Sequence, residues 1–133
     1  MCRFDPGATV TASWTLRVPS YCPTFNSIGK NTKNNFRYRG WRKVWEKEFG
    51  PWLQTIPPAM KYRRVTITRY YAGRNRAYDH QNFAGGCKPL LDVIVTFGGL
   101  YDDRDLWCEA HYVQIKAGSD GVDVIEVKIE ELS

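Results

Sequence analysis

The sequence predicts a small α/β (α+β) domain, a mixed β-sheet carrying two main helices in the order β-α-β-α-β-β. Three observations carry that expectation: alternating apolar residues near the N-terminus, a helical stripe of aromatics after it, and two further alternating segments at the end. The 133 residues suit a single domain, 1–133.

The first strand is Thr9 to Val18, where Val10, Ala12, Trp14, Leu16 and Val18 share one face until Pro19 ends it. Ser20 to Asn35 is polar and rich in Asn, Gly and Lys, and reads as a loop. From Phe36 to Trp52 the period changes: Tyr38, Trp41, Trp45, Phe49 and Trp52 fall three or four apart, a core-facing helix stripe, with Gly50-Pro51 expected to break its last turn. Lys61 to Tyr71 alternates again and predicts a second strand. Asn82 to Phe97 predicts one helix, strongest over Lys88 to Val95 and stopped by Gly98-Gly99. Leu106 to Ala117 and Val122 to Leu132 predict a closing hairpin turning at Gly118 to Gly121.

Charge is divided unevenly along the chain. Residues 1–78 hold 15 Lys and Arg against 3 Asp and Glu; residues 79–133 hold 4 against 11. A basic half suits a polyanion such as DNA or RNA. Carboxylates gathered around divalent metal would explain the acidic half; the plainer alternative is that the asymmetry is chance and folding mixes the two halves. Cys2, Cys22, Cys87 and Cys108 lack metal-finger spacing, and His80 and His111 are the only histidines, so zinc sites and Ser-His-Asp or Cys-His catalysis are poorly supported. No apolar run suits a membrane span and no signal peptide precedes the first strand, so the expectation is a cytoplasmic protein with reduced cysteines.

Four acidic positions are chemically interesting: Asp79 after the second strand, Asp92 within an apolar helical run, and Asp102-Asp103 after a Gly-Gly turn. A charge inside such a run is costly unless paired or metal-bound, and Lys88, four residues earlier, offers a simple ion pair. The ordered series Asp79, Asn82, Lys88, Asp92, Asp102-Asp103, with Pro23-Thr24-Phe25-Asn26 upstream and Gln114 and Lys116 downstream, resembles the RusA-like Holliday junction resolvases, many of them phage-borne. The resemblance implies a homodimeric endodeoxyribonuclease of DNA recombination and repair. It would bind branched DNA and nick two strands by phosphodiester hydrolysis with magnesium, or manganese, and no nucleotide cofactor.

On that resemblance Asp79, Asp92 and Asp103 are the metal ligands, with Asp102 held in reserve. Lys88 orients water or offsets phosphate charge, and Asn82 fixes the loop or a water beside the ligands. Arg63, Arg64, Arg69, Arg74 and Arg76, nearest in sequence, would hold the DNA backbone. Gln81 departs from the pattern, since more active relatives carry a second Asp there and an amide is an uncharged, poorer ligand for a hard cation. The alternatives are a branched-DNA-binding protein without efficient cleavage, and a structural protein whose charge asymmetry serves dimerisation.

Three decoys have plainer explanations. Glu126-Val127-Lys128 has the E-x-K form of some nucleases, but strand alternation puts Glu126, Lys128 and Glu130 on a solvated face. Gly85-Gly86 beside Lys88 lacks P-loop spacing. His80, next to Asp79, has the chemistry of a proton carrier, but a loop histidine is more often incidental.

Overall fold

The computed structural model describes residues 9–28, 36–102, 108–117 and 121–133. Strand β1 is Val10–Pro19; helices α1, Phe25–Ile28, and α2, Phe36–Leu53, lead to strand β2, Arg63–Tyr71. Helices α3, His80–Gly86, and α4, Lys88–Thr96, lead to β3, Cys108–Lys116, and β4, Val124–Leu132. The four strands form one mixed sheet in the order β1-β4-β2-β3, so the fold is the mixed α/β class the sequence predicts.

The expected closing hairpin is not formed. β4 pairs antiparallel with both β1 and β2, and β3 lies parallel on the far side of β2. Burial explains the choice. β2 covers Val65, Ile67 and Arg69 on one face and Thr68 on the other, which demands a central position. β3 leaves Val113 and Ile115 exposed, which an edge tolerates. At the end of β2, Ala117 N–H donates to the Tyr71 carbonyl at 2.8 Å and Ala72 N–H donates to Asp123 Oδ1 at 3.1 Å, so the residues after β3 and before β4 are both tied there. Parallel pairing of β2 with β3 in turn requires a crossover, which α3 and α4 supply.

The helices pack on one face of the sheet. Trp45, Phe49 and Leu53 of α2 and Leu90, Val93 and Ile94 of α4 join Val65, Ile67, Ile125, Val127 and Ile129 in the core. The aromatic stripe is thus core, as its spacing predicts, with Trp41 stacked on Trp45 at 5.5 Å between ring centres. α2 does not break at Gly50-Pro51 but runs on to Leu53. Gly50 leaves room for the Phe97 ring, 3.3 Å from where a Cβ would stand.

The single helix expected over 82–97 is two helices parted at Cys87. Pro89 sits in the first turn of α4, where its missing N–H has no partner to lose; inside a continuous helix it would break the ladder. The polar loop after β1 contains the one-turn α1, whose Thr24 and Ser27 exchange two hydrogen bonds of 3.1 Å.

The two charge halves meet across the sheet. Arg63 faces Glu131, Arg64 faces Glu130 and Arg17 faces Glu126 in directly opposed positions. Each is an ion pair, at 3.1, 2.9 and 2.6 Å, and Arg69–Asp123 adds another at 3.2 Å. Much of the acidic half is therefore the internal counter-charge of the basic half rather than a metal shell. Glu126 and Glu130 lie on the outer face, as strand alternation predicts, but against arginines rather than in open water.

Candidate functional site around Asp79 and Asp92

Asp79 stands where β2 hands over to α3. Its carboxylate caps that helix, Oδ1 accepting from Asn82 N–H at 2.9 Å. The Asn82 side chain reaches onward, its Oδ1 accepting from Asn26 N–H at 3.0 Å, which ties α3 to α1. α1 and α3 can touch because Gly85 and Gly86 carry no side chain. A Cβ on Gly86 would lie 2.0 Å from the Pro23 carbonyl oxygen, and one on Gly85 would lie 2.6 Å from the Phe25 ring. The glycine pair thus serves close helix packing.

Between these elements lies a pocket of about 390 Å³ lined by Phe25, Asn26, Asp79, Gln81, Asn82 and Gly85. A larger recess of about 500 Å³ at the sheet end includes Asp123, but that carboxylate is taken up by Arg69, Ala72 and Asn75. The Asp79 pocket is the better candidate on chemistry.

The backbone leading into Asp79 is held from below. Gln114 on β3 accepts from Tyr78 N–H at 2.8 Å and donates to the Tyr78 carbonyl at 2.7 Å. Arg69 donates to Gln114 Oε1 and to the Arg76 carbonyl, both at 2.9 Å, and lies over the Tyr78 ring at 3.7 Å. The Tyr78 hydroxyl donates to the Cys22 carbonyl at 2.9 Å. Burial first of all pushes that phenol well above its ordinary value, so it stays a donor. Cys22 and Cys87 are free buried thiols whose sulfurs lie 3.9 Å apart beneath this junction.

Asp92 lies on α4 with 23% of its side chain exposed. The Tyr38 hydroxyl of α2 donates to Oδ2, and Lys88 Nζ lies 3.1 Å from Oδ1. The ion pair expected from spacing is therefore present, with a tyrosine clamp that spacing did not reveal. Asp102 is half-buried after the glycine turn, while Asp103 lies outside the described residues. Among the described residues, no three Asp, Glu, His or Cys side chains gather into a metal-sized group. Asp92 does not line the Asp79 pocket; its carboxylate is held by Tyr38 and Lys88. The pocket's own oxygens are those of Asp79, Gln81 and Asn82, the last already accepting from Asn26 N–H. Oxygen donors are the kind a hard cation takes, and magnesium ordinarily takes one or two carboxylates and completes its shell with water and substrate phosphate.

The arginines expected to hold DNA divide sharply. Arg74 and Arg76 are exposed, and Arg64 is partly exposed between Glu109 and Glu130. Arg63 and Arg69 are 1% exposed and spent on internal partners, which corrects the expectation for both. Arg63 donates to Glu131, the Gly99 carbonyl and the Pro57 carbonyl. Strand alternation carried the signal, since Arg63 and Arg69 share a face with Val65 and Ile67.

Among the described residues, no helix is long and apolar enough to cross a membrane. No protein-family model matches the chain, and no curated protein matches it in sequence.

Proposed function

We propose that the chain is a magnesium-dependent endodeoxyribonuclease acting on branched DNA, four-way junctions above all, as a homodimer that nicks two strands. The observation supporting this reading is the frame around Asp79. A carboxylate at a pocket is fixed by its own helix cap, by Gln114 on the preceding residue and by a buried arginine beneath. Catalytic carboxylates need such fixed placement, because small errors of position are expensive in rate.

On the resemblance, Asp79, Asp92 and Asp103 would hold the ion, which would supply activation of water and neutralisation of charge on the phosphate. Tyr38 fixes the rotamer of Asp92, and Lys88 keeps positive charge beside it for the scissile phosphate. Asn82 keeps α1 against the pocket.

A second reading, binding of branched DNA without efficient cleavage, draws on Gln81. The pocket carries a neutral amide there, and the charge of Asp92 is offset by Lys88. A synthetic four-way junction separates the two. Magnesium-dependent nicking that Asp79→Asn and Asp103→Asn abolish, with binding intact, supports the enzyme. Salt-sensitive binding without nicking in magnesium or manganese supports the second reading, and absence of both defeats the two together.

A further inference from the structure

With Arg63 and Arg69 consumed internally, Arg74 and Arg76 are the expected DNA contacts that stay fully exposed, and a longer row of exposed positive charge stands on the solvent side of α2. Arg39, Lys43 and Lys47 are exposed, fall at four-residue intervals, and make no ion pair or side-chain hydrogen bond among the described residues. Arg42, by contrast, turns toward the protein, donating to Thr96 at 3.1 Å and lying 3.6 Å from Glu46.

Four residues of helix rise about 6 Å, so the three cations span about 12 Å along the axis. That covers roughly three phosphates of one DNA strand, at about 3.4 Å of axis each. At the head of the row is a recess of about 340 Å³ lined by Phe36, Arg39, Gly40 and Lys43. Phe36 is 83% exposed, and nothing lies within 4 Å of the Cβ position of Gly40. An exposed ring beside unpaired cations is the pairing that single-strand binders use, cations on phosphates and a ring face on a base.

We infer that the outer face of α2 is a nucleic-acid docking surface: Arg39, Lys43 and Lys47 take the phosphodiester backbone, and Phe36 stacks on an unpaired base. The assignment rests on the nucleic-acid reading above and names its surface. Tyr38, one residue before the first of these cations, reaches Asp92 from the buried side, so one helix carries both the cation row and a contact to Asp92.

The test is DNA binding by the full chain in EDTA, where cleavage plays no part, over a salt series and on a junction, a duplex and a single strand. Combining Arg39→Gln, Lys43→Gln and Lys47→Gln should reduce the slope of log affinity against log salt on duplex by about 2.7, from ~0.9 per lost phosphate contact. Phe36→Ala should weaken single-strand binding about tenfold and duplex binding little. A control, Lys61→Gln with Lys116→Gln, removes exposed charge elsewhere and should move the slope far less. If the parent binds DNA and the α2 variant matches it, or the control does equal damage, the docking surface is wrong while the nuclease reading stands. If the parent binds no DNA, both fall. Binding of anionic lipid vesicles but not DNA through the same row also overturns the assignment.

Discussion

Tyr38 on α2 donates its hydroxyl to the carboxylate of Asp92 on α4, joining the aromatic helix to the candidate site. The contact works in both directions. Burial, then the hydrogen bond to Asp92, pushes the phenol up to about 12, so the donor stays protonated at neutral pH while the carboxylate is held in one orientation.

Tyr38→Phe removes only that hydroxyl. The variant should fold and lose about 1 kcal/mol of stability, the usual net worth of such a bond where the acceptor keeps some access to water. Cleavage should need several-fold more magnesium, measured by titrating the metal at fixed junction concentration. An unchanged requirement would make Tyr38 a packing residue.

Gln81 lines the same pocket as Asp79, so its substitution reads the metal requirement directly. Gln81→Asp adds an anionic oxygen and should lower the magnesium needed for half-maximal cleavage, while manganese should partly rescue the parent. If neither happens, position 81 is not a ligand position.

Asp123→Asn should be severe. It leaves Arg69, 1% exposed, without its counter-charge, a loss on the order of 3–5 kcal/mol for a broken buried pair. Because Arg69 also supports Tyr78 and Gln114, the Asp79 segment should loosen as well. Urea unfolding checks the stability, and hydrogen exchange at residues 76 to 82 checks the loosening.

Glu130 provides a pH signature. Its hydrogen bond with Arg64 holds the carboxyl below its ordinary 4.5. The unfolded chain then binds the proton first as pH falls, so this pair's contribution is complete above about pH 4.5 and drains away through the lowered folded value. Glu130→Gln should therefore cost stability at pH 7 and progressively less as the pH is taken down below 4.5. Urea midpoints along that pH series measure the difference, and an equal cost throughout would show that the charge is immaterial.

Local periodicity made much of the architecture legible. β1, α2 and β2 follow from spacings of two or three-to-four residues within one segment, and burial bears out each. Strand order did not follow, because the nearness of Leu106–Ala117 to Val122–Leu132 in sequence suggested a hairpin. The competing fact was the two-sided burial of β2, together with the match of its arginines to Glu130 and Glu131. Pro89 is a visible cause of the helix break, while the apolar run after it points to one continuous helix.

At the candidate site, Asp79 and Asp92 were marked by their settings, and Lys88 by its spacing. Tyr38, Arg69 and Gln114 acquire their roles only when α2, β2 and β3 come together, so no spacing within one element announces them. Of the three, only the burial of Arg69 left a trace, in the alternation of β2.

The position of β4 between β1 and β2 carries a kinetic consequence. Val10 is paired with Leu132 and Arg63 with Glu131, so β1 lacks its partner, and β2 one of its two, until the segment 124–132 arrives. Before that moment β1 is an unpaired ribbon and β2 has at most β3 on one side. Closure over such sequence distances is slow compared with helix formation. The helices can form early, but the sheet is completed in one late step, when a single glutamate-bearing strand zips two arginine-bearing ones together.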